Sequence, residues 1–145
     1  MTSQAIPHGA ALTDAAVTPR GRLWAGRVLF AIPVLFLLMD GVMKLVQPAP
    51  VVEGMEQLGF PAAQAPVIGV ILLACLALYV VPRTAVLGAV LLTGYMGGAM
   101  ATHVRVGNPL FSHILFPVYL AVMFWGALYL RDARVRALVS AEHGR

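Results

Sequence analysis

Four apolar runs, at residues 24–46, 65–81, 84–102 and 114–130, take up most of this 145-residue chain. At 1.5 Å per residue the two shorter runs reach roughly 25 Å as helices, enough for a hydrocarbon core of about 30 Å. None carries the polar stripe of a helix lying on a soluble core. Only 11% of the residues are charged, whereas soluble domains carry about 25%, and the mean hydropathy is +0.85. A chain this poor in charge has no means of coating a soluble surface, so the expected fold class is an all-α integral membrane four-helix bundle.

The segments between and beyond the runs complete the plan. Residues 1–22 hold no apolar stretch of the kind a cleaved signal needs, so they read as a flexible N-terminal tail ahead of an uncleaved signal anchor. Residues 23–138 form the membrane domain, and 139–145 a C-terminal tail. Pro82-Arg83 separates the second and third runs, since proline disfavours helix at the residue before it; a re-entrant second run is the alternative. In the long connection "QPAPVVEGMEQLGFPAAQAP", apolar residues recur at helical spacing over 51–58. This reads as an amphipathic segment on the membrane surface, and either a lid over the bundle mouth or a plain interfacial loop.

Charge sets the orientation. Arg20, Arg22, Arg27, Arg83, Arg131, Arg134, Arg136 and Arg145 fall on one side of a four-span arrangement, and only Lys44 and Arg105 on the other. The positive-inside rule therefore places both termini in the cytoplasm. Trp24, Tyr79, Trp125 and Tyr129 fall near the same side and are expected to form an interfacial aromatic belt. The pI near 9.8 accordingly reads as membrane orientation rather than nucleic-acid binding. Cys75 stands alone in an apolar run and reads as a small buried hydrophobe.

The third run repeats small residues every fourth position, from Ala85 through Ala89, Thr93 and Gly97 to Ala101, and Gly94 with Gly98 forms a GxxxG. Small residues let helix backbones approach closely in lipid. The expectation is a third span central to the bundle, or a face for a second copy of the chain.

Polar residues gather at the outer end. Asp40 lies sixteen residues past Trp24, roughly 24 Å across the core. Lys44 follows one turn later on the same face. Span three ends at His103 and Arg105, span four begins at His113, and alternating directions bring all five residues to one level. An ionised residue inside a span needs a partner. Lys44 alone is one solution for Asp40; a network reaching Arg105 or His103 is the other. For the histidines, interfacial hydrogen bonding competes with two chemistries. Paired axial ligation of haem, which wants His103 and His113 facing across a cavity, is disfavoured because a short loop joins them near the surface. A proton-handling or head-group site would hold a quinone carbonyl or an acidic head group, with walls from Tyr95, Met96, Met100, Phe116 and Tyr119. The sequence contains no P-loop, Rossmann glycine pattern, HExxH zinc motif or GxSxG turn. No metal site is expected.

Four stretches, "LFLLMDGVMKLVQP", "GMEQLGFP", "TGYMGGAMATHVRVG" and "FPVYLAVMFWGALYLRD", in this order and spacing, resemble the DoxX-like family of small bacterial membrane proteins. The likeness runs from about Arg22 to Leu138. It implies four spans and the inner membrane. Gly41 and Lys44 match the family's Gly-x-x-Lys, and Gly97, Gly98 and His103 its Gly-Gly-…-His; no catalytic role follows for any of them. The family takes its name from a membrane subunit of a thiosulfate:quinone oxidoreductase. The resemblance therefore implies a membrane subunit of a quinone-linked redox system, working with a redox protein partner. The competing expectation is a non-catalytic scaffold whose polar cluster locks the bundle, and a small-solute or proton pathway is a third.

Overall fold

The computed structural model describes residues 19–140. Residues 1–18 and 141–145, with most of both tails and Arg145, lie outside the described residues. The described residues are helical throughout their regular structure: α1 (Pro19–Val46), α2 (Ala49–Gln57), α3 (Ala65–Val80), α4 (Ala85–Arg105), α5 (Phe116–Arg131) and α6 (Ala133–Ser140). Four stretches are long and apolar enough to cross a membrane: Arg20–Val46, Ala62–Val80, Ala85–Arg105 and Leu110–Arg131. Their outward faces stay apolar, with Leu35, Val67 and Val122 at least 60% exposed. Only lipid makes that arrangement favourable.

The helices begin and end where local chemistry dictates. Pro19, with its φ pre-set for helix, opens α1 five residues ahead of Trp24, so residues 19–22 belong to the helix rather than to the tail. α3 is one continuous helix rather than a re-entrant pair. The turn after it is closed by Thr84, whose hydroxyl donates to the Leu78 carbonyl at 2.8 Å. A π-helical turn, Leu110–Ile114, leads into α5, where Pro117 has no N–H to continue the ordinary ladder. α6 has no counterpart in the hydropathy. Asp132 caps it, accepting the Arg134 backbone N–H at 2.8 Å, and Val135 tucks into the core.

The spans form a ring. α1 packs on α3 and α5, and α4 closes against the same two helices. The third span is thus one side of the ring and not its hub. Its close approach also sits elsewhere than the GxxxG suggests. A Cβ on Gly88 would stand 2.2 Å from the Tyr79 backbone nitrogen, whereas Cβ atoms on Gly94, Gly97 and Gly98 would meet nothing within 4 Å. Across the ring, α1 and α3 touch at a second glycine contact. A Cβ on Gly69 would come within 2.9 Å of Lys44 Cβ and 3.0 Å of the Gly41 carbonyl oxygen.

Tyr79 is the polar bolt of the core. It is 2% exposed, stacks on Phe30, meets Phe124 edge to face, and donates its hydroxyl to the Phe124 carbonyl at 2.9 Å. The aromatic belt therefore lacks it: the expected interfacial residue turns inward because its hydroxyl finds a carbonyl of α5. Trp125 likewise donates to Thr93 Oγ1 at 3.0 Å, linking α5 to α4. In apolar surroundings an unmet hydroxyl is costly.

Tyr79→Phe should lower stability by about 1 kcal/mol, and Gly88→Ala by about 1–3 kcal/mol or more through overpacking, both read from unfolding in mixed detergent micelles. A Gly88→Ala protein as stable as the parent would contradict the α3–α4 contact. Acid should loosen the start of α6. Hydrogen bonds from the Arg134 side chain and backbone hold the Asp132 carboxyl below its ordinary value of 3.8. Its stabilisation is therefore complete above that value and is lost as pH falls through the lowered one. Exchange of the α6 amides against pH reads this directly.

Candidate functional site

At the end of the bundle away from the chain's first and last described residues, the ring opens into a cavity of about 520 Å³. α1 contributes Phe36, Leu37, Asp40 and Lys44; α4 contributes Tyr95, Met96, Gly98, Thr102 and His103; α5 contributes Phe116, Pro117 and Leu120. Met55 and Leu58, with Phe60 just after them, reach it from α2 and its exit turn. The segment at residues 49–57 is therefore a cover over the cavity mouth as well as an amphipathic helix. Of the five expected wall residues, Tyr95, Met96 and Phe116 line the cavity, and Met100 and Tyr119 do not. Tyr119 faces outward instead, at 46% exposure.

The five polar residues share this end but divide into three groups. Asp40 and Lys44 form an ion pair at 2.5 Å within α1. Their side chains are 33% and 17% exposed, so they are screened less than a surface pair. Gly69 holds the lysine stem against α3, since any side chain there would push it away. Of the two alternatives, the self-contained pair is the one present, and no extension to Arg105 or His103 forms among the described residues. Arg105 turns the other way and donates to the Leu58 carbonyl at 2.5 Å, with its guanidinium 5.9 Å from the centre of the Phe60 ring. Leu58 ends α2, so its carbonyl is an orphan acceptor that suits a cation. Gly59, at φ +75°, makes room: its Cβ would lie 3.0 Å from the Arg105 guanidinium. Arg105 is a latch between α4 and the cover.

His103 and His113 meet edge to face, ring centres 5.6 Å apart, and only His103 lines the cavity. Asn108 Nδ2 lies 2.8 Å from His103 Nδ1. With the amide assigned in this orientation, its nitrogen only donates, so the histidine Nδ1 accepts and the neutral ring carries its proton on Nε2. Asn108 follows Gly107, whose φ of +71° turns the chain back over the end of α4. That Gly-Asn pair is the signal in the sequence for the histidine's partner. His113 Nδ1 pairs with Ser112 Oγ at 2.8 Å. Among the described residues no three His, Cys, Asp or Glu side chains converge to hold a metal ion.

The charges in the cavity cancel. Among the described residues, the Asp, Glu, Lys and Arg side chains that line it are Asp40 and Lys44, which pair with each other, and Arg105 is engaged outside it. Tyr95 makes no hydrogen bond among the described residues, and none of their buried polar side-chain atoms is left unmatched. Tyr95 lines the cavity, and its hydroxyl is therefore a donor without a partner among the described residues.

Residues 28–127, which include every residue of this lining, match the model of the DoxX-like family. The chain belongs to the DoxX-like family. No curated protein and no solved structure matches it. In this DoxX-like chain the spacing Gly41-x-x-Lys44 has a physical meaning. Gly41 lets Leu73 of α3 pack directly on the α1 backbone, a Cβ there falling 2.6 Å from the leucine, and Lys44 then lies over Gly69.

Removing one charge of the pair tests its role. Lys44→Met leaves the part-buried Asp40 carboxylate without its counter-charge and should cost about 1–3 kcal/mol, less than the loss of one partner of a fully buried pair. Asp40→Asn should cost less, because a lone lysine can extend toward the interface. The double variant should lie closer to the parent than Lys44→Met does, in a double-mutant cycle on unfolding free energies.

Proposed function

We propose that this chain binds an uncharged, membrane-borne carbonyl head group, a quinone, in the cavity beneath α2, as a membrane subunit of a quinone-linked redox system. The observation that carries this reading is the charge balance of the cavity: apolar walls, a self-neutralised Asp40–Lys44 pair and donors from Tyr95 and His103. A quinone carbonyl accepts hydrogen bonds and brings no charge. An acidic head group would need an unpaired cation, and Arg105, the remaining cation at this end, is tied to Leu58. In this reading Tyr95 and His103 orient the head, the Asp40–Lys44 pair polarises it, and Arg105 keeps the cover in place. His113 supports His103 from outside the cavity.

The same reading places the protein in the bacterial inner membrane, both termini in the cytoplasm. Seven described arginines at the terminal end, against Lys44 and Arg105 at the other, support that orientation. Electrons would pass to or from a separate redox protein. A second copy of the chain is proposed to meet α4 at Gly94, where the surface leaves open space; an unchanged particle mass in Gly94→Leu would dispose of that contact.

A scaffold role is the competing reading, favoured by the fact that Asp40 is already satisfied within its own helix. The two differ in what the purified protein carries. Lipid extracts of the detergent-purified chain should contain quinone at near-equimolar ratio, and Tyr95→Phe and His103→Ala should lower that ratio several-fold while the proteins remain folded. Quinone no higher than in an unrelated four-span protein purified alike would sink the proposal and leave the scaffold.

A further inference from the structure

A second cavity, of about 260 Å³, opens at the opposite end of the bundle, and its chemistry differs in kind. Phe30, Tyr79 and Leu128 give it an apolar floor, and Arg131 and Arg134 stand on its rim with Asp132 between them. Two guanidinium groups face one carboxylate. That carboxylate is already held, its Oδ2 taking the Arg134 Nη2 at 3.2 Å.

Arg131 has no such partner. Its guanidinium carbon sits over the Phe30 ring, 4.1 Å from the ring centre, and among the described residues no carboxylate or carbonyl accepts its N–H groups. A guanidinium held over a ring is restricted in position, and its edge presents a planar fork of donors suited to a phosphate. Arg136 is not available to share the load, because it donates to the Tyr129 and Leu130 carbonyls at 3.1 and 3.0 Å. The excess positive charge of the cleft therefore rests on Arg131.

Position selects the source of the phosphate. Arg131 is the last residue of the fourth membrane-spanning stretch, so its head lies where hydrocarbon gives way to water. Phe30, Val80, Pro82 and Leu128 give the cleft an apolar side beside the charged rim, against which glycerol and the first acyl carbons can lie. Soluble phosphate has no use for such a side.

We propose that this cleft binds the phosphodiester head group of an anionic phospholipid, with the Arg131 guanidinium on the phosphate, Phe30 fixing that guanidinium, and Arg134, held by Asp132, adding positive charge at the rim. Basic pockets between membrane helices hold such head groups by the same combination of charge and apolar floor. The site is separate from the quinone cavity and stands or falls independently of it.

Native mass spectrometry of the full chain, offered equal amounts of phosphatidylglycerol and phosphatidylcholine, tests the proposal. The parent should retain phosphatidylglycerol about tenfold over phosphatidylcholine, and Arg131→Gln with Arg134→Gln should bring the ratio near one. Arg134→Gln alone, at an exposed position, should give an intermediate ratio and guards against a fold defect in the double variant. Arg20→Gln with Arg22→Gln removes the same charge from the same end and should leave the selectivity intact. Loss of selectivity in that control as large as in the cleft variant would overturn the proposal in favour of diffuse attraction. Equal retention of both lipids by the parent would overturn it outright. Displacement of phosphatidylglycerol by millimolar inorganic phosphate would overturn the lipid assignment and make the ligand a soluble phosphate.

Discussion

A carboxylate placed inside an apolar helix needs a counter-charge that the helix itself supplies, and much of this structure follows from how Asp40 obtains one. Lys44 lies one turn further along the same face and closes the pair at 2.5 Å. Long side chains occupy space, and the lysine stem would ordinarily force α3 away. Gly69 removes that obstacle, and Gly41 lets Leu73 pack on α1 from the other side. The tight α1–α3 crossing and the ion pair are one arrangement. Because the pair is satisfied within α1, neither His103 nor Arg105 is drawn to it, and both remain free for other work.

That freedom shapes the far end of the bundle. Arg105 goes to the last carbonyl of α2 and holds the cover, while His103, oriented by Asn108, faces the cavity with Tyr95. The space enclosed is apolar and electrically balanced, which favours a neutral polar head over an anion. The opposite end has the reverse character, with an arginine held over Phe30 and carrying no counter-ion. A single ring of four helices thus ends in two clefts of different charge, one balanced and one basic.

Length and hydropathy made the spans legible because lipid leaves few alternatives: a run such as 65–81 has nowhere to go but through the membrane as helix. The shared level of Asp40, Lys44, His103, Arg105 and His113 was legible for the same reason, since spans alternate in direction. Pairing within that level was not. Whether Arg105 turns to Asp40 or to Leu58 depends on where α2 folds back, and that is set by Gly59 and Phe60 rather than by any periodicity. Helix packing misled in a comparable way. A GxxxG marks a face that permits close approach, but the ring chose Gly88, beside the short α3–α4 turn, where the two helices had to meet. Tyr79 reads as an interfacial residue until its acceptor, the Phe124 carbonyl 45 positions away, is brought beside it. α6 left only a faint trace, an aspartate before an Arg-Val-Arg alternation.

Photoaffinity labelling with an azido-quinone, mapped by peptide mass spectrometry, would show whether the proposed quinone head occupies the cavity beneath α2. Label is expected on residues of the Phe36–Lys44 and Tyr95–His103 stretches, suppressed by excess unmodified quinone. Label confined to the lipid-facing surface, or unaffected by competitor, would contradict it.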